Sequence, residues 1–355
     1  MPHPQGQVAV YALTAAGAEL ARRLARALPG AKVFLPHRLA QAGEAGFSKI
    51  SEALSENFPR FRGHVAIAAT GIVVRALAPL LAHKALDPGV VVVDQAGQFA
   101  ISLLAGHLGG ANGLARQVAG LLGGQAVITT ATDVAGLPSL EMEARSRGLG
   151  LENLPALAGV SLAVLEGRPV TVQDPEGWLW PWLAERWPGV FQLAAGPPAL
   201  TEAGEPRVRV DWRAMPAAEG ELVLRPPCLA VGLGCNRGTD QAEMAELLEK
   251  VLNSHGFSRA SLARLASAEV KRDEPGLLEL ARGLNLPLEF YSPEELKQIK
   301  VPNPSTTVEK HVGTQSVCEA AAQLAARGGP LVVPKHKTPN VTVAVALLRP
   351  EASSR

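Results

Sequence analysis

Short apolar runs and amphipathic stretches alternate along most of this chain. Val8 to Leu13 reads as a strand, Ala16 to Leu28 as a helix with Leu20, Leu24, Ala27 and Leu28 on one face, and Ala31 to Leu35 as a second strand. This β-α-β opening predicts a parallel sheet, because a helical crossover brings the next strand back in the same direction. His64 to Ala69 is a further buried-strand run, and Thr70-Gly71-Ile72-Val73-Val74-Arg75 opens a helix behind it. Val90 to Val93 and Phe99 to Leu104 flank Asp94-Gln95-Ala96-Gly97, whose turn chemistry predicts a hairpin rather than a crossover. Gly106-His107-Leu108-Gly109-Gly110-Ala111-Asn112-Gly113 then leads into a helix carrying Leu114, Val118 and Leu121, and Ala126 to Thr130 forms a strand. It ends in Thr130-Ala131-Thr132-Asp133, which is expected at the carboxyl edge of the sheet, where α/β folds usually bind ligands.

From about Ala135 to Leu224 the texture changes, with more proline and acidic residues and all five tryptophans, Trp178, Trp180, Trp182, Trp187 and Trp212. The α/β rhythm resumes at Cys228 to Leu233, an apolar run that flows into Gly232-Leu233-Gly234-Cys235-Asn236-Arg237-Gly238-Thr239-Asp240. A strand ending in glycines ahead of a helix is expected to aim backbone N–H groups, with Arg237, at an anion. Asp240 and Glu243 have capping-box spacing, and Ala242, Ala245, Leu248 and Leu252 recur at helical intervals. Leu262 to Ser267 and Leu286 to Tyr291 read as strands around a charged loop, 268–274, and a helix from Pro275 to Leu284. Thr306 and Glu309 predict another helix start, and Leu331 to Val333 and Val341 to Leu347 close the chain as β-rich runs around Lys335-His336-Lys337. The expected architecture is multi-domain α/β, with N-terminal (1–135) and C-terminal (226–350) α/β domains and a smaller α+β middle domain (136–225).

Composition narrows the function. Length, 355 residues, favours two or three domains. A net charge of +1, from 34 basic and 33 acidic residues, lacks the basic field of a nucleic-acid binder. Two Tyr and eight Phe also speak against a base-stacking platform. No run approaches the ~20 apolar residues of a membrane span and the N-terminus carries no signal-like pattern, so a cytoplasmic protein is expected. Cys228, Cys235 and Cys318 are odd in number and include no CxxC pair, which suggests neither a disulfide framework nor a structural zinc site.

Taken in order, Thr70 to Arg75, the Gly106 to Asn112 loop, Val231 to Cys235, Lys271 to Gly276, Pro304-Ser305, Val312-Gly313, Ser316-Val317 and the Lys335 loop resemble the CbiG family. The resemblance covers about three quarters of the chain and is weakest from Glu141 to Pro226; Asn236 stands where the family commonly has a basic residue. It implies the cobalt-precorrin-5A hydrolases of oxygen-independent cobalamin synthesis, which open a δ-lactone and expel acetaldehyde to give cobalt-precorrin-5B. No cofactor is implied, since cobalt enters with the substrate. The implied partner is that cobalt-corrinoid, with no nucleic acid and no membrane; transient contact with other cobalamin pathway enzymes and a homodimer stay open.

The reaction needs water delivered to a carbonyl, a stabilised oxyanion and proton transfer as a carbon–carbon bond breaks. His107, Glu269 and Glu274 are the candidates for the catalytic roles. Thr70, Gly71, Arg75, Gly106, Gly109, Gly110, Asn112, Asp133, Gly232, Gly234, Cys235, Arg237, Lys271, Ser305 and Lys335 are the candidates for gripping an acid-fringed macrocycle, and their glycine-lined loops are expected to surround one cleft. Structural roles compete at each position: turns for the glycines, a solvated loop for Glu269 and Glu274, a helix cap for Asp133. Cys235, at a helix start, would have a lowered pKa and could attack the lactone, or could simply pack. A corrinoid carrier without turnover is the alternative function; a nucleotide enzyme ranks last, because neither glycine loop matches G-x-G-x-x-G or a P-loop.

Overall fold

The computed structural model of the chain describes residues 8–83, 86–194, 205–302 and 316–350. The chain divides into two compact units, Met1–Met142 and Glu143–Arg355. The first opens as β1 (Val8–Ala12), α1 (Ala15–Ala27) and β2 (Lys32–Pro36), with β1 and β2 parallel as the alternation predicts. Thr14 caps α1 by accepting the Gly17 N–H at 3.1 Å. After β3 (Ala45–Phe47) and α2 (Ile50–Asn57), β4 (Gly63–Ile67) joins β1 in parallel and α3 (Thr70–Leu77) leaves its carboxyl end. β5 (Gly89–Val93) and β6 (Phe99–Leu104) form the expected hairpin, whose turn is closed by the Asp94 carboxylate accepting from the Ala96 and Phe99 N–H groups.

α4 (Ala111–Leu122), β7 (Gln125–Val127), α5 (Ala131–Ala135) and α6 (Leu140–Ser146) follow. The sheet order is β3-β2-β1-β4-β5-β6-β7, with buried aliphatic side chains packed on both faces. One expectation fails here. Because β6 runs antiparallel to β5, and β7 runs parallel to β6, the ends of β6 and β7 emerge at the amino edge of β1, β4 and β5. Thr130 to Asp133 and the Gly106 to Asn112 loop therefore lie one strand length from Thr70 and Gly71, at the opposite edge of the sheet.

The second unit carries two sheets. β8 (Gly150–Glu152), α7 (Pro155–Leu165), β9 (Val170–Gln173), α8 (Trp180–Arg186), β10 (Phe191–Leu193), β11 (Arg207–Val210) and β12 (Glu221–Arg225) build the middle one, in the order β10-β9-β11-β12-β8, parallel apart from edge strand β8. Four of the five tryptophans spend their N–H groups on acids, Trp182 and Trp187 on Glu143, Trp178 and Trp212 on Glu176, while the Trp212 ring packs into the core of the following sheet. This satisfies the polar end of an otherwise apolar side chain.

The last sheet, β15-β14-β13-β17-β16, is formed by β13 (Leu229–Cys235), α9 (Gln241–His255), β14 (Leu262–Ala268), α10 (Pro275–Leu284), β15 (Leu288–Tyr291), α11 (Pro293–Lys297), α12 (Val317–Ala325), β16 (Leu331–Lys337) and β17 (Val341–Leu347). β13, β14 and β15 are parallel, and β17 returns antiparallel, with Val341 opposite Cys235. Leucines and valines of α9 and α10 cover one face. The other face is alanine-rich: Ala320, Ala321, Ala322 and Ala325 of α12 meet Ala230, Ala266, Ala344 and Ala346. Small side chains on both sides bring the helix backbone close to β13. Gly232 is required by that approach, since a Cβ there would run into the Cys318 carbonyl and come within 2.6 Å of the Ala322 nitrogen. Gly232 is thus a packing position beneath α12, not a ligand contact. The helix start expected at Thr306 lies outside the described residues. No helix among them is long and apolar enough to cross a membrane.

Candidate active site

The carboxyl ends of β13 and β14 and the β16–β17 turn meet at one edge of the C-terminal sheet, around a cavity of about 490 Å³. Five of the sequence candidates line it: Gly234, Cys235, Arg237, Lys271 and Lys335. Lys337 adds a further cation, and no acidic side chain belongs to the lining among the described residues. Among the described residues the ammonium groups of Lys271 and Lys337 form no hydrogen bond or ion pair. Such a concave, lysine-edged wall suits carboxylates, which need desolvated cationic partners to be held tightly. Ser316, Cys318 and Thr342 supply small side chains to the wall.

How the cavity is held together differs from the expected glycine loop. The Asn236 N–H is spent on the Asn340 carbonyl at 2.9 Å, and the Gly238 N–H on Glu274 at 2.8 Å. α9 starts only at Gln241, and the Asp240 carboxylate caps it from the Ala242 N–H. The Asn236, Gly238 and Ala242 N–H groups are therefore engaged inside the protein, and the cations on the cavity wall are side chains. Glu243 does not complete a capping box. Its carboxylate reaches across to accept from Thr338 Oγ1 at 2.7 Å and Asn340 Nδ2 at 3.2 Å, pinning the turn that follows Lys337. Glu319, fully buried on α12, accepts the Lys335 N–H at 2.9 Å. Sequence reasoning missed both anchors: it read Glu243 as the capping-box partner of Asp240, and Glu319 carries no local signal of its contact with a strand 16 residues on.

The acidic candidates are placed outside the cavity lining. Glu269 is exposed and pairs with Arg272, as a solvated loop would. Glu274 is buried, holds the Gly238 N–H and faces Arg237 at 3.6 Å, so it positions the loop rather than meeting a ligand. Arg237 lines the cavity with its guanidinium committed to Asp273 (2.6 Å) and the Val270 carbonyl (2.9 Å). Cys235 ends β13 instead of starting a helix, and burial raises its thiol pKa against the lowering influence of Lys271. The expected lowering is thereby reversed, and the thiol stays protonated near neutrality. Ser305 lies outside the described residues.

Within the first unit, the candidates from Gly106 to Asn112 and Asp133 cluster at the amino edge of the sheet. His107 Nδ1 donates to Glu141 at 2.7 Å and Nε2 to Asp133 at 2.9 Å, with Thr132 and Ser139 hydroxyls beside the ring. The hydrogen bond to Glu141 raises the His107 pKa, with burial opposing and Asp133 assisting. Burial pushes both carboxyls up, but the Arg116 and His107 contacts hold Asp133 below its ordinary value, and His107 does the same for Glu141. Two carboxylates flanking the ring favour its protonated form, and both nitrogens are engaged, so neither is open to cobalt or to a reacting proton. Asn112 is buried at the same node, donating to Thr130 and Asp133 and accepting from Ser102. Gly106 and Gly109 have no room for a Cβ, which would meet Asn112 and Ala105, and Gly110 takes φ +85 at the start of α4. Thr70, Gly71 and Arg75 stand apart at the other edge, where the Arg75 guanidinium folds back onto the Gly71 carbonyl at 2.9 Å. The predicted loops of this unit thus do not share a cleft. Among the described residues no group of three or more His, Cys, Asp or Glu side chains is arranged to hold a metal ion.

Comparison with known proteins gives a consistent result. A family model described as Cobalamin synthesis G N-terminal matches residues 52–133, and one described as Cobalamin synthesis G C-terminus matches residues 229–346. The chain is 35% identical over 359 residues to a cobalt-precorrin-5A hydrolase of Priestia megaterium, covering 97% of this chain and 96% of that one. It is 34% identical over 336 residues to a cobalt-precorrin-5A hydrolase of Salmonella typhimurium, covering 90% and 92%. A solved structure of a cobalamin biosynthesis protein G homolog from Sulfolobus solfataricus aligns over 97% of both chains at 19% identity, with a TM-score of 0.37.

Proposed function

Since the chain belongs to the cobalt-precorrin-5A hydrolase family, CbiG, we propose that it opens the δ-lactone of cobalt-precorrin-5A and releases acetaldehyde, with the lysine-lined cavity of the C-terminal sheet as the site that grips the substrate. The observation that carries the assignment of the site is the convergence of Lys271, after β14, with Lys335 and Lys337 of β16, two separate stretches of chain, on one wall with no acidic side chain in its lining among the described residues. At about 490 Å³ the cavity takes one flank of the macrocycle and its carboxylate arms, not the whole ring.

Water adds to the lactone carbonyl, and the oxyanion that forms is stabilised by the nearest ammonium group. Collapse breaks the ring C–O bond and leaves a carboxylate and an alkoxide. The alkoxide becomes the aldehyde carbonyl as the adjacent carbon–carbon bond breaks, and the electron pair passes to the macrocycle, where a proton is taken up. A neutral Cys235 thiol and the hydroxyls of Ser316 and Thr342 can hold the attacking water without a covalent intermediate. Hydrolysis consumes only water, so no flavin or nicotinamide enters the scheme, and the cobalt belongs to the substrate. The reading is of a protein acting in the cytoplasm.

Anaerobic incubation with cobalt-precorrin-5A, followed by an aldehyde assay and a corrinoid spectrum, tests the function. Stoichiometric acetaldehyde is expected. Retention of intact substrate in a stable complex with folded protein would favour the carrier instead.

A further inference from the structure

A second basic cavity, of about 560 Å³, opens at the other end of the C-terminal sheet. Its walls come from the segment before β13 (Pro227), from β14 (Arg264), and from the stretches that follow α12 and β17. Trp178 and Arg147 of the middle region complete it within the same compact unit. It is a full strand length from the lysine-lined cavity, which sits at the carboxyl ends of β13 and β14. Four arginines line it, Arg147, Arg264, Arg327 and Arg349, and no acidic residue does among those described.

Three details separate this from a chance gathering of surface charge. Arg327 occupies the left-handed backbone region at φ 53, directly after α12, in the position where helices ordinarily place glycine. Its N–H bonds to the Leu324 carbonyl and the Gly328 N–H to the Gln323 carbonyl, as in a helix-ending turn of that kind. A side chain there costs backbone energy that glycine would avoid, yet an arginine holds the position in the cavity lining. Arg264 donates one terminal N–H to Glu289 at 2.7 Å, while its Nε is buried without a hydrogen-bond partner. Arg147 is held with its guanidinium carbon 5.3 Å from the Trp182 ring centroid, which fixes its direction without a carboxylate. Planar, always-charged guanidinium groups recognise carboxylate and phosphate by paired hydrogen bonds, whereas the cavity at the other edge relies on lysine.

We propose that this arginine-lined cavity is a second binding site, for a small molecule bearing two or more carboxylate or phosphate groups. Its volume falls within the roughly 300 to 1,000 Å³ typical of small-molecule sites. The proposal is independent of the hydrolase reading, because the binding test uses no corrinoid.

Calorimetric titration of the full chain with citrate and with inorganic pyrophosphate tests it. At least one probe is expected to bind with a dissociation constant below about 1 mM, and the tighter of the two identifies carboxylate or phosphate as the recognised group. Arg349→Gln and Arg327→Gly should each weaken that binding at least about fivefold. Arg327→Gly should also melt no lower than the parent, since glycine suits the left-handed backbone. Lys271→Met with Lys337→Met should leave the probe affinity unchanged. No heat with either probe would overturn the proposal, as would affinity that survives both arginine substitutions or is lost in the lysine double variant.

Discussion

Replacing His107 by glutamine removes a positive charge that two carboxylates share, and the structure sets the size of the effect. Glu141 is buried and would lose its 2.7 Å partner; Asp133 would lose one at 2.9 Å but keep Arg116. Two charge-assisted hydrogen bonds, at roughly 1.5 to 3 kcal/mol each, give a ceiling of about 6 kcal/mol. Solvent reaches His107 and Asp133, and Arg116 stays in place, so about 2 to 3 kcal/mol is the expected loss. The pH dependence carries the sign. A histidine whose folded pKa is raised contributes fully below its unfolded value of 6.5, and loses that contribution as pH rises through the folded value. Glu141 and Asp133 are lowered from 4.5 and 3.8, so their share is complete above those values and lost as pH falls through the folded ones. The stability difference between parent and His107→Gln should therefore be greatest from pH ~4.5 to ~6.5 and shrink toward alkaline pH. Urea unfolding at several pH values measures it. A difference that stays flat from pH 5 to 9 would refute the ion-pair account, and a fully stable variant without turnover would return His107 to the chemistry.

Gly232→Ala should cost about 3 kcal/mol or more by driving α12 off the sheet, read by chemical denaturation; a loss under about 1 kcal/mol would show that the helix can yield. Cys235→Ser should retain most of the turnover, because a half-buried thiol whose pKa is raised is not the nucleophile; loss of activity with corrinoid binding intact would point to covalent catalysis. Glu243→Ala should free the turn after Lys337 and raise KM severalfold while changing the melting temperature little. Unchanged KM would separate that turn from the substrate.

Much of the fold was legible. The α1 periodicity, the apolar β4 and β5 runs and the Asp94–Gly97 turn each depend on neighbours a few residues away, and each appears where expected. Which edge a loop occupies depends on more. The hairpin reading already reversed β6 and with it carries His107 to the amino edge, but Asp133 follows only because β7 pairs parallel to β6. The convergence of Gly234, Cys235, Lys271 and Lys335 was readable because all four fall at or beside strand ends. Glu274 read as a catalytic carboxylate and is instead a buried anchor for Gly238, because charge in a loop says nothing of burial. Glycines misled in the same way: Gly232 looks like part of a binding loop in the sequence and lies beneath a helix in the structure.

The most direct test of the account is anaerobic acetaldehyde release from cobalt-precorrin-5A by the parent protein and by the Lys271→Met, Lys337→Met double variant. If the cavity at the end of β13 grips the substrate's carboxylates, the variant should fold normally and lose about 10- to 100-fold in kcat/KM, mostly through KM. Turnover equal to the parent's at limiting substrate would contradict it and move the active site elsewhere.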